Sequence, residues 1–274
     1  MMARHWYDLR VFTRDGDGGN PLAVVPDAVE VGVDAMQKGA AEIGYSETVY
    51  LDWPEGAEVP RVRLFTPAAE IAFAGHPLVG TAWLLRNVSP MKAVEALEPP
   101  VGVIPCGADD DTGWIDPPPA PVAPSGDPSL ALDALGLPTV SGACWNAGLG
   151  QQYLMVEACD VGDLAALAPD YDRLRETPFA GGVCVWCFTG DDTARMRFFA
   201  PGSGVNEDPA TGSAAVALAS VLAWGDRFPE ERRLMIDQGD ELGRPCRLEI
   251  TSTEDGNVRL SGAVTLEGTR EVSV

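Results

Sequence analysis

The alternation of apolar and polar positions predicts two runs of elements in the same order. Each run starts with a short apolar strand, continues with an amphipathic helix, and goes on to a pair of β-rich segments. The predicted segments are 21–25, 34–43, 46–51 and 62–65 in the first half, and 153–157, 161–175, 183–188 and 195–199 in the second. The chain therefore predicts two halves that are built alike.

A second helix follows in each half, at about 77–86 and 211–224, and both are apolar on nearly all faces. A helix that is apolar all round must be buried, so we expect a sheet to wrap around each one. The tail from 234 to 274 alternates apolar and polar residues with glycine breaks, which predicts antiparallel strands. The predicted class is α+β, with two pseudo-symmetric lobes that each roll a mixed sheet or barrel around a buried helix.

A proline-rich stretch at about 117–128 separates the halves, because proline blocks both helix and central strand. We predict an N-terminal lobe at 1–118, a linker at 117–128 and a C-terminal lobe at 129–261. A C-terminal strand at about 262–274 could complete the first lobe.

Short motifs recur in the two halves at nearly constant spacing. Arg63-x-Phe65-x-Pro67 is echoed by Arg197-x-Phe199-x-Pro201, and His76-Pro77-Leu78-Val79-Gly80-Thr81-Ala82 is echoed by Asp208-Pro209-Ala210-Thr211-Gly212-Ser213-Ala214. This repeat places His76 and Asp208 at equivalent positions, so we expect them to face each other across a cleft between the lobes.

The formal charge of −22 comes from 41 acidic against 19 basic residues in 274. Such an excess repels nucleic acid and anionic membrane surfaces, so neither is a predicted partner. The apolar stretch at 71–85 is too short to span a bilayer, and the first residues contain no signal-like segment, which predicts a cytoplasmic protein. If the ligand is itself an anion, local donors must attract it.

The echoed loops offer such donors. A helix start leaves backbone N–H groups without partners, and together with the helix dipole these bind anions. Gly80 and Thr81 in one loop, and Gly212 and Ser213 in the other, are small residues with hydroxyl donors. A single loop of this kind usually caps a helix, but two equivalent loops favour a site for a carboxylate.

Glu47 is the candidate for proton transfer. It stands at the mouth of a predicted strand among apolar residues, where partial burial would raise its pKa toward neutrality. An exposed residue at a strand end is the ordinary alternative, and spacing leaves both possibilities open.

Four motifs together resemble the phenazine-biosynthesis PhzF-like family, nearly from end to end of the chain. They are Gly19-Asn20-Pro21-Leu22-Ala23-Val24-Val25, Ser46-Glu47-Thr48, Phe73-Ala74-Gly75-His76-Pro77 and Glu207-Asp208-Pro209-Ala210-Thr211-Gly212-Ser213-Ala214. The resemblance implies a diaminopimelate-epimerase-like fold, a homodimer, and no cofactor or metal. It also implies an isomerase of a small carboxylate, similar to trans-2,3-dihydro-3-hydroxyanthranilate isomerase.

By the same resemblance, Glu47 matches a glutamate that shuttles a proton between carbons, and His76 and Asp208 match polar groups that line the site. Gly212 and Ser213 match the loop that holds the substrate carboxylate. Gly75 belongs to the matching Gly-His-Pro motif and is placed with the substrate-binding residues, as are Gly80 and Thr81.

Two other functions stay open. Epimerases and racemases of this fold use a pair of cysteines, whereas none of the six Cys here lies in either helix-start loop. A non-catalytic binder of small acids would keep both loops without needing Glu47.

Overall fold

The computed structural model describes residues 3–54, 56–88, 92–137, 139–179, 181–229, 233–252 and 257–273. Residues 1, 2 and 274, at the ends of the predicted lobes, lie outside these ranges. The α+β class is confirmed. The helices are α1 Val33–Ile43, α2 Gly75–Asn87, α3 Ser129–Leu135, α4 Val161–Ala166, α5 Tyr171–Arg175 and α6 Gly212–Trp224.

Strands of the first half lead up to α2 and continue beyond it. They are β1 Ala3–Thr13, β2 Asn20–Val25, β3 Glu47–Asp52, β4 Arg61–Phe65, β5 Glu70–Ile71, β6 Ala96–Leu97, β7 Ile104–Ala108 and β8 Thr112–Ile115. The remaining strands are β9 Val122–Pro124, β10 Trp145–Ala147, β11 Tyr153–Glu157, β12 Val183–Phe188, β13 Thr193–Ala200, β14 Val205–Asp208, β15 Arg233–Gln238, β16 Cys246–Ser252 and β17 Val258–Ser273.

The two halves use the same strand arrangement. In the first, β2 pairs in parallel with β3, which pairs antiparallel with β4; in the second, β11 pairs in parallel with β12, which pairs antiparallel with β13. The long strand β17 runs antiparallel to β1, β8 and β16. The lobe boundaries stay predictions. Strand β17 pairs with strands of both halves, and β1 also pairs with β16.

Helices α2 and α6, each 13 residues long, lie inside these sheets. Strands β1, β2, β3, β7, β8 and β17 contact α2, whereas β9, β10, β11, β16 and β17 contact α6. The residues of α6 from Gly212 to Leu222 are all buried, as the uniformly apolar sequence predicts. In the described part of the chain, no helix is both long enough and apolar enough to cross a membrane.

Two predicted elements need correction. The helix expected at 161–175 is two short helices, because Pro169 cannot continue α4 and the Asp170 side chain accepts a hydrogen bond from the Arg173 N–H to start α5. The linker expected at 117–128 contains β9, which pairs antiparallel with β10.

The echoed motifs are also out of register by about one helical turn. α2 begins at Gly75, five residues before Gly80, whereas α6 begins at Gly212 itself. The structural equivalent of Gly212 is therefore Gly75. His76 is the second residue of α2, but Asp208 is the last residue of β14, so the two do not hold the same repeat position.

The first residues of α2 and α6 touch each other. A Cβ atom added to Gly75 would lie 2.7 Å from the carbonyl carbon of Gly212, and one added to Gly212 would lie 2.9 Å from the Cα of Gly75. No side chain fits between two backbones at this distance. Glycine at both positions therefore allows the two helix N-termini to meet.

We expect Gly75→Ala to lower the free energy of unfolding by about 1–3 kcal/mol, because the added methyl group must push the two helix ends apart. Urea unfolding followed by circular dichroism measures this change. Gly126→Ala is the control, since the space around Gly126 is open. Equal stability of both variants would contradict the tight contact.

Candidate active site

A cleft of about 450 Å³ opens beside the helix contact. Its lining includes three of the residues singled out from sequence, namely Glu47, Asp208 and Ser213. Both halves of the chain contribute to the remaining lining, which is Thr66, Ile71, Phe73, Ala74, Gln151, Tyr153, Gly181, Phe198, Ala200, Ser203, Val205 and Thr211. The cleft thus brings together a carboxyl pair and the start of α6.

Glu47 is the first residue of β3, opposite Leu22 of the parallel strand β2. Burial and the negative charge of Asp208 raise the pKa of Glu47, while a hydrogen bond from Ser46 lowers it by less. The side chain is only 16% exposed. Glu47 is therefore a carboxyl group that can exchange a proton near neutral pH, as the sequence predicts.

His76 lies behind Glu47 and does not line the cleft. Its Nε2 is 3.6 Å from Oε2 of Glu47, and neither atom has a hydrogen-bond partner among the described residues. Burial lowers the pKa of His76 to about 3, so the contact is not an ion pair at neutral pH. A neutral imidazole beside a protonated carboxyl group avoids the cost of an isolated buried charge.

Asp208, at the end of β14, is held by hydrogen bonds on both oxygens. Asn20 donates to Oδ1 over 2.9 Å, and the hydroxyl of Thr211 donates to Oδ2 over 2.6 Å. Burial raises the pKa of Asp208, but these donors and the charge of Arg244 oppose the rise. Of the two carboxyl groups, Asp208 therefore ionises first, and its charge helps Glu47 keep a proton.

The start of α6 has more backbone donors available than the start of α2. The N–H of Thr211 is bonded to Oε1 of Gln238 over 2.9 Å, and the first helical bond runs from Ala215 N to Thr211 O. The geometry of a helix start leaves the N–H groups of Gly212, Ser213 and Ala214 available. In α2 the third residue is Pro77, which has no N–H, so α2 offers one donor fewer.

Tyr153 controls the direction of the Ser213 hydroxyl. Its phenol donates to Oγ of Ser213 over 2.9 Å, and its ring packs edge-on against Phe198 at 5.1 Å. Burial raises the pKa of Tyr153 to about 12, so the phenol stays a donor. Because Oγ of Ser213 accepts this bond, its own proton is free to point into the cleft.

The structure moves two of the predicted binding residues away from the site. Gly80 lies in the second turn of α2, where an added Cβ would be 2.5 Å from Leu22 and 2.7 Å from Val11. Thr81 is fully buried, and its hydroxyl has no partner among the described residues. Both residues pack in the core because the helix starts earlier than the echo suggests. Gly75 does not line the cleft either, but its backbone packs against Gly212 at the cleft's edge.

None of the six cysteines lines the cleft. Cys184, which lies near Tyr153, is fully buried, and burial raises the pKa of its thiol far above the ordinary range. A thiol in this state does not supply the thiolate that a cysteine-based epimerase needs.

Sequence reasoning missed the residues that hold the site together across the halves. Besides its bond to Asp208, Asn20 donates to the carbonyl of Ala210 over 2.9 Å. Gln238 donates to the carbonyl of Asp208 over 2.7 Å. A signal was available for Gln238, because it takes a buried position in the alternating strand β15, where a polar side chain needs a partner.

The model of the phenazine biosynthesis-like protein family (PhzC-PhzF) matches residues 9–270. A trans-2,3-dihydro-3-hydroxyanthranilate isomerase of Pseudomonas aeruginosa is 35% identical over 242 residues, which cover 84% of each chain. An uncharacterized isomerase of Mesorhizobium japonicum is 32% identical and covers 96% of this chain and 95% of its own.

Solved structures show the same fold. A Bacillus anthracis protein of the PhzF family superimposes with a TM-score of 0.84 at 21% identity, over 100% of both chains. A probable proline racemase of Agrobacterium radiobacter superimposes with a TM-score of 0.68 at 12% identity, over 99% of this chain and 93% of its own. The racemase shares the architecture alone.

We expect Glu47→Gln to stabilise the protein at neutral and alkaline pH. Folding raises the pKa of Glu47 from 4.5 to about 8, so the folded state binds the extra proton in this window. Stability of the wild type therefore falls as pH rises from about 4.5 to about 8, and the neutral amide removes this loss. The gain should be at least ~1 kcal/mol at pH 8 and vanish near pH 4.

Urea unfolding at a series of pH values measures the difference. Glu58→Gln is the control, because it removes the same charge at an exposed position. A gain that is independent of pH, or equal in the control, would show that the Glu47 carboxyl group is not desolvated.

Proposed function

The chain belongs to the phenazine biosynthesis-like (PhzC-PhzF) family, and on this premise we propose that it is an isomerase that moves a proton within a small carboxylate-bearing molecule. The observation that carries the proposal is the juxtaposition of Glu47, a carboxyl group poised to titrate near neutral pH, with the free donors of α6 in one cleft. The Pseudomonas aeruginosa relative is named for trans-2,3-dihydro-3-hydroxyanthranilate, which is a small molecule with a carboxylate group.

In the proposed reaction the substrate carboxylate docks on the N–H groups of Gly212 and Ser213 and on the Ser213 hydroxyl. These donors need no reorganisation, because the helix and Tyr153 fix them before the ligand arrives. Docking at one end of the molecule then sets which carbon atoms lie next to Glu47.

Glu47 takes a proton from one carbon, the electron pair of the broken C–H bond forms a double bond to the neighbouring carbon, and the electron pair of the original double bond moves to the carbon at its far end. The protonated Glu47 then returns the proton to another carbon of the same molecule, so atoms and charge balance. No oxidation state changes overall and no group is transferred, so this step requires no cofactor or metal. Asp208 acts on Glu47 by holding its pKa high, and the buried, neutral His76 packs behind the Glu47 carboxyl group.

We also infer a homodimer from the family resemblance. From the sequence we infer a cytoplasmic location, lobes at 1–118 and 129–261, and a linker at 117–128. A non-catalytic binder of small acids is the second candidate, favoured by the preformed donors at α6. The desolvated Glu47 separates the two functions, because a mere binder of anions gains nothing from a carboxyl group in its site.

Transfer of deuterium from solvent tests the proposal. In D₂O the wild type should place deuterium on carbon in trans-2,3-dihydro-3-hydroxyanthranilate or in another member of a panel of dihydroaromatic and amino-acid carboxylates, as followed by NMR. Glu47→Gln keeps the shape of the side chain but carries no proton, so its exchange rate should fall by about 10²–10⁴-fold.

Glu58→Gln is again the control and should exchange like the wild type. Wild-type exchange by Glu47→Gln would refute the role of this residue. Binding without exchange in all three proteins would support the binder instead, and loss of turnover after alkylation of the cysteines would point to thiol chemistry.

Replacement of the Ser213 hydroxyl tests where the carboxylate docks. Ser213→Ala should weaken the binding of anthranilate by roughly 5–10-fold, since one hydrogen bond to a charged group is lost. Thr81→Val is the matched control: it also removes a hydroxyl, but in the core, where that hydroxyl has no described partner. Calorimetric titration distinguishes the two, and equal losses would place the carboxylate elsewhere.

A further inference from the structure

A second groove of about 880 Å³ adjoins the cleft and contains two arginines that the proposed reaction does not use. Val205 and Asp208 line both the cleft and this groove, so β14 borders both spaces. The arginines are Arg10 of β1 and Arg244 of the turn between β15 and β16. We call this space the arginine groove.

The backbones of both arginines flank the segment that carries Asn20. Arg10 stands opposite Pro21 in the antiparallel pairing of β1 with β2. The residue after Arg244, Pro245, accepts a hydrogen bond from the N–H of Gly19 over 3.2 Å. The turn that holds Arg244 is itself fixed, because the Arg244 N–H donates to the carbonyl of Gly239 over 3.0 Å. The fold therefore directs both residues to the groove from opposite sides of one short segment.

Among the described arginines whose side chains have no hydrogen bond or ion pair with a described residue, Arg10 and Arg244 are the two that line this groove. Most arginines of the described chain are paired with a carboxylate. The paired ones are Arg4, Arg14, Arg61, Arg63, Arg175, Arg195, Arg197, Arg227, Arg233, Arg247, Arg259 and Arg270. With a formal charge of −22, acidic partners are abundant, yet these two guanidinium groups are left available in one groove.

The acidic groups of the groove are already engaged. Both oxygens of Glu207 accept hydrogen bonds of 2.8 Å from Arg197, and both oxygens of Asp208 accept bonds from Asn20 and Thr211. Glu207 is paired with Arg197, so the two guanidinium groups face only one carboxylate of the groove that no arginine pairs, Asp208, on which the charge of Arg244 acts. The groove therefore keeps a surplus of positive charge. A guanidinium group binds carboxylate and phosphate through two parallel hydrogen bonds, so the matching ligand is an anionic group.

We propose that the arginine groove is a second anion site, and that it takes the second acidic group of a small diacid whose first carboxylate docks at α6. The inference rests on the proposed function for the position of that first carboxylate. The substrate class is then limited to molecules with two acidic groups. One group lies in the cleft at α6 and the other in the arginine groove.

Calorimetric titration with three kinds of probe tests the proposal. The probes are anthranilate, anthranilate with a second carboxylate at either of two ring positions, and inorganic phosphate. The wild type should bind at least one of the diacids about 10-fold more tightly than anthranilate. In Arg10→Gln/Arg244→Gln this preference, measured as the ratio of the two affinities in the same protein, should disappear.

Arg86→Gln/Arg173→Gln is the matched control, because it removes two exposed arginines that also lack a described ion pair but lie outside the groove. It should keep the preference for the diacid, which excludes a general effect of net charge. Unchanged thermal unfolding of both double variants shows that neither disturbs the fold.

Two other results have definite meanings. If only phosphate distinguishes the wild type from Arg10→Gln/Arg244→Gln, the groove binds a separate anion and the diacid proposal is wrong. If no probe distinguishes them, the groove is not an anion site. Neither result depends on turnover, so failure of Glu47-dependent deuterium exchange would overturn the isomerase while leaving the binding result intact.

Discussion

The contact between Gly75 and Gly212 is the constraint on which the site depends. Two helix backbones meet there at a distance that admits no side chain, and each helix presents its positive end to the same small region. The strands that wrap α2 and α6 can then bring Glu47 from one half next to Asp208 from the other. A larger residue at either helix start would separate the helices and, with them, Glu47 and the start of α6.

Burial around this contact sorts three titratable groups into different states. His76 is fully buried and has no carboxylate that stays charged beside it, so it remains neutral. Asp208 has two strong donors and ionises, whereas Glu47 has little compensation for its desolvation and faces the charge of Asp208. The number of donors on each group, rather than its residue type, decides which carboxyl group holds the proton.

The sequence predicted the class, both buried helices and the cleft residues Glu47, Asp208 and Ser213. It misplaced Gly80 and Thr81 because the echoed motifs share residue types, whereas the helix start is set by where the backbone turns after β5. Proline is tolerated in the first turn of a helix, so Pro77 could lie inside α2 as easily as before it. The hydrogen-bond partners of Asn20 and Tyr153 lie far away in the sequence, so a local sequence pattern does not predict these contacts.

The strongly negative charge of the chain explains why the site is built from backbone donors. Most of the described arginines are paired with carboxylates, and the net charge of −22 repels an approaching anion. The N–H groups of Gly212 and Ser213 cannot be neutralised by a nearby carboxylate in the way that a lysine can, because they are fixed at the buried start of α6. In so acidic a protein, the attraction for an anionic substrate has to come from donors that the fold holds in place. An unpaired arginine near these donors then influences which anion binds.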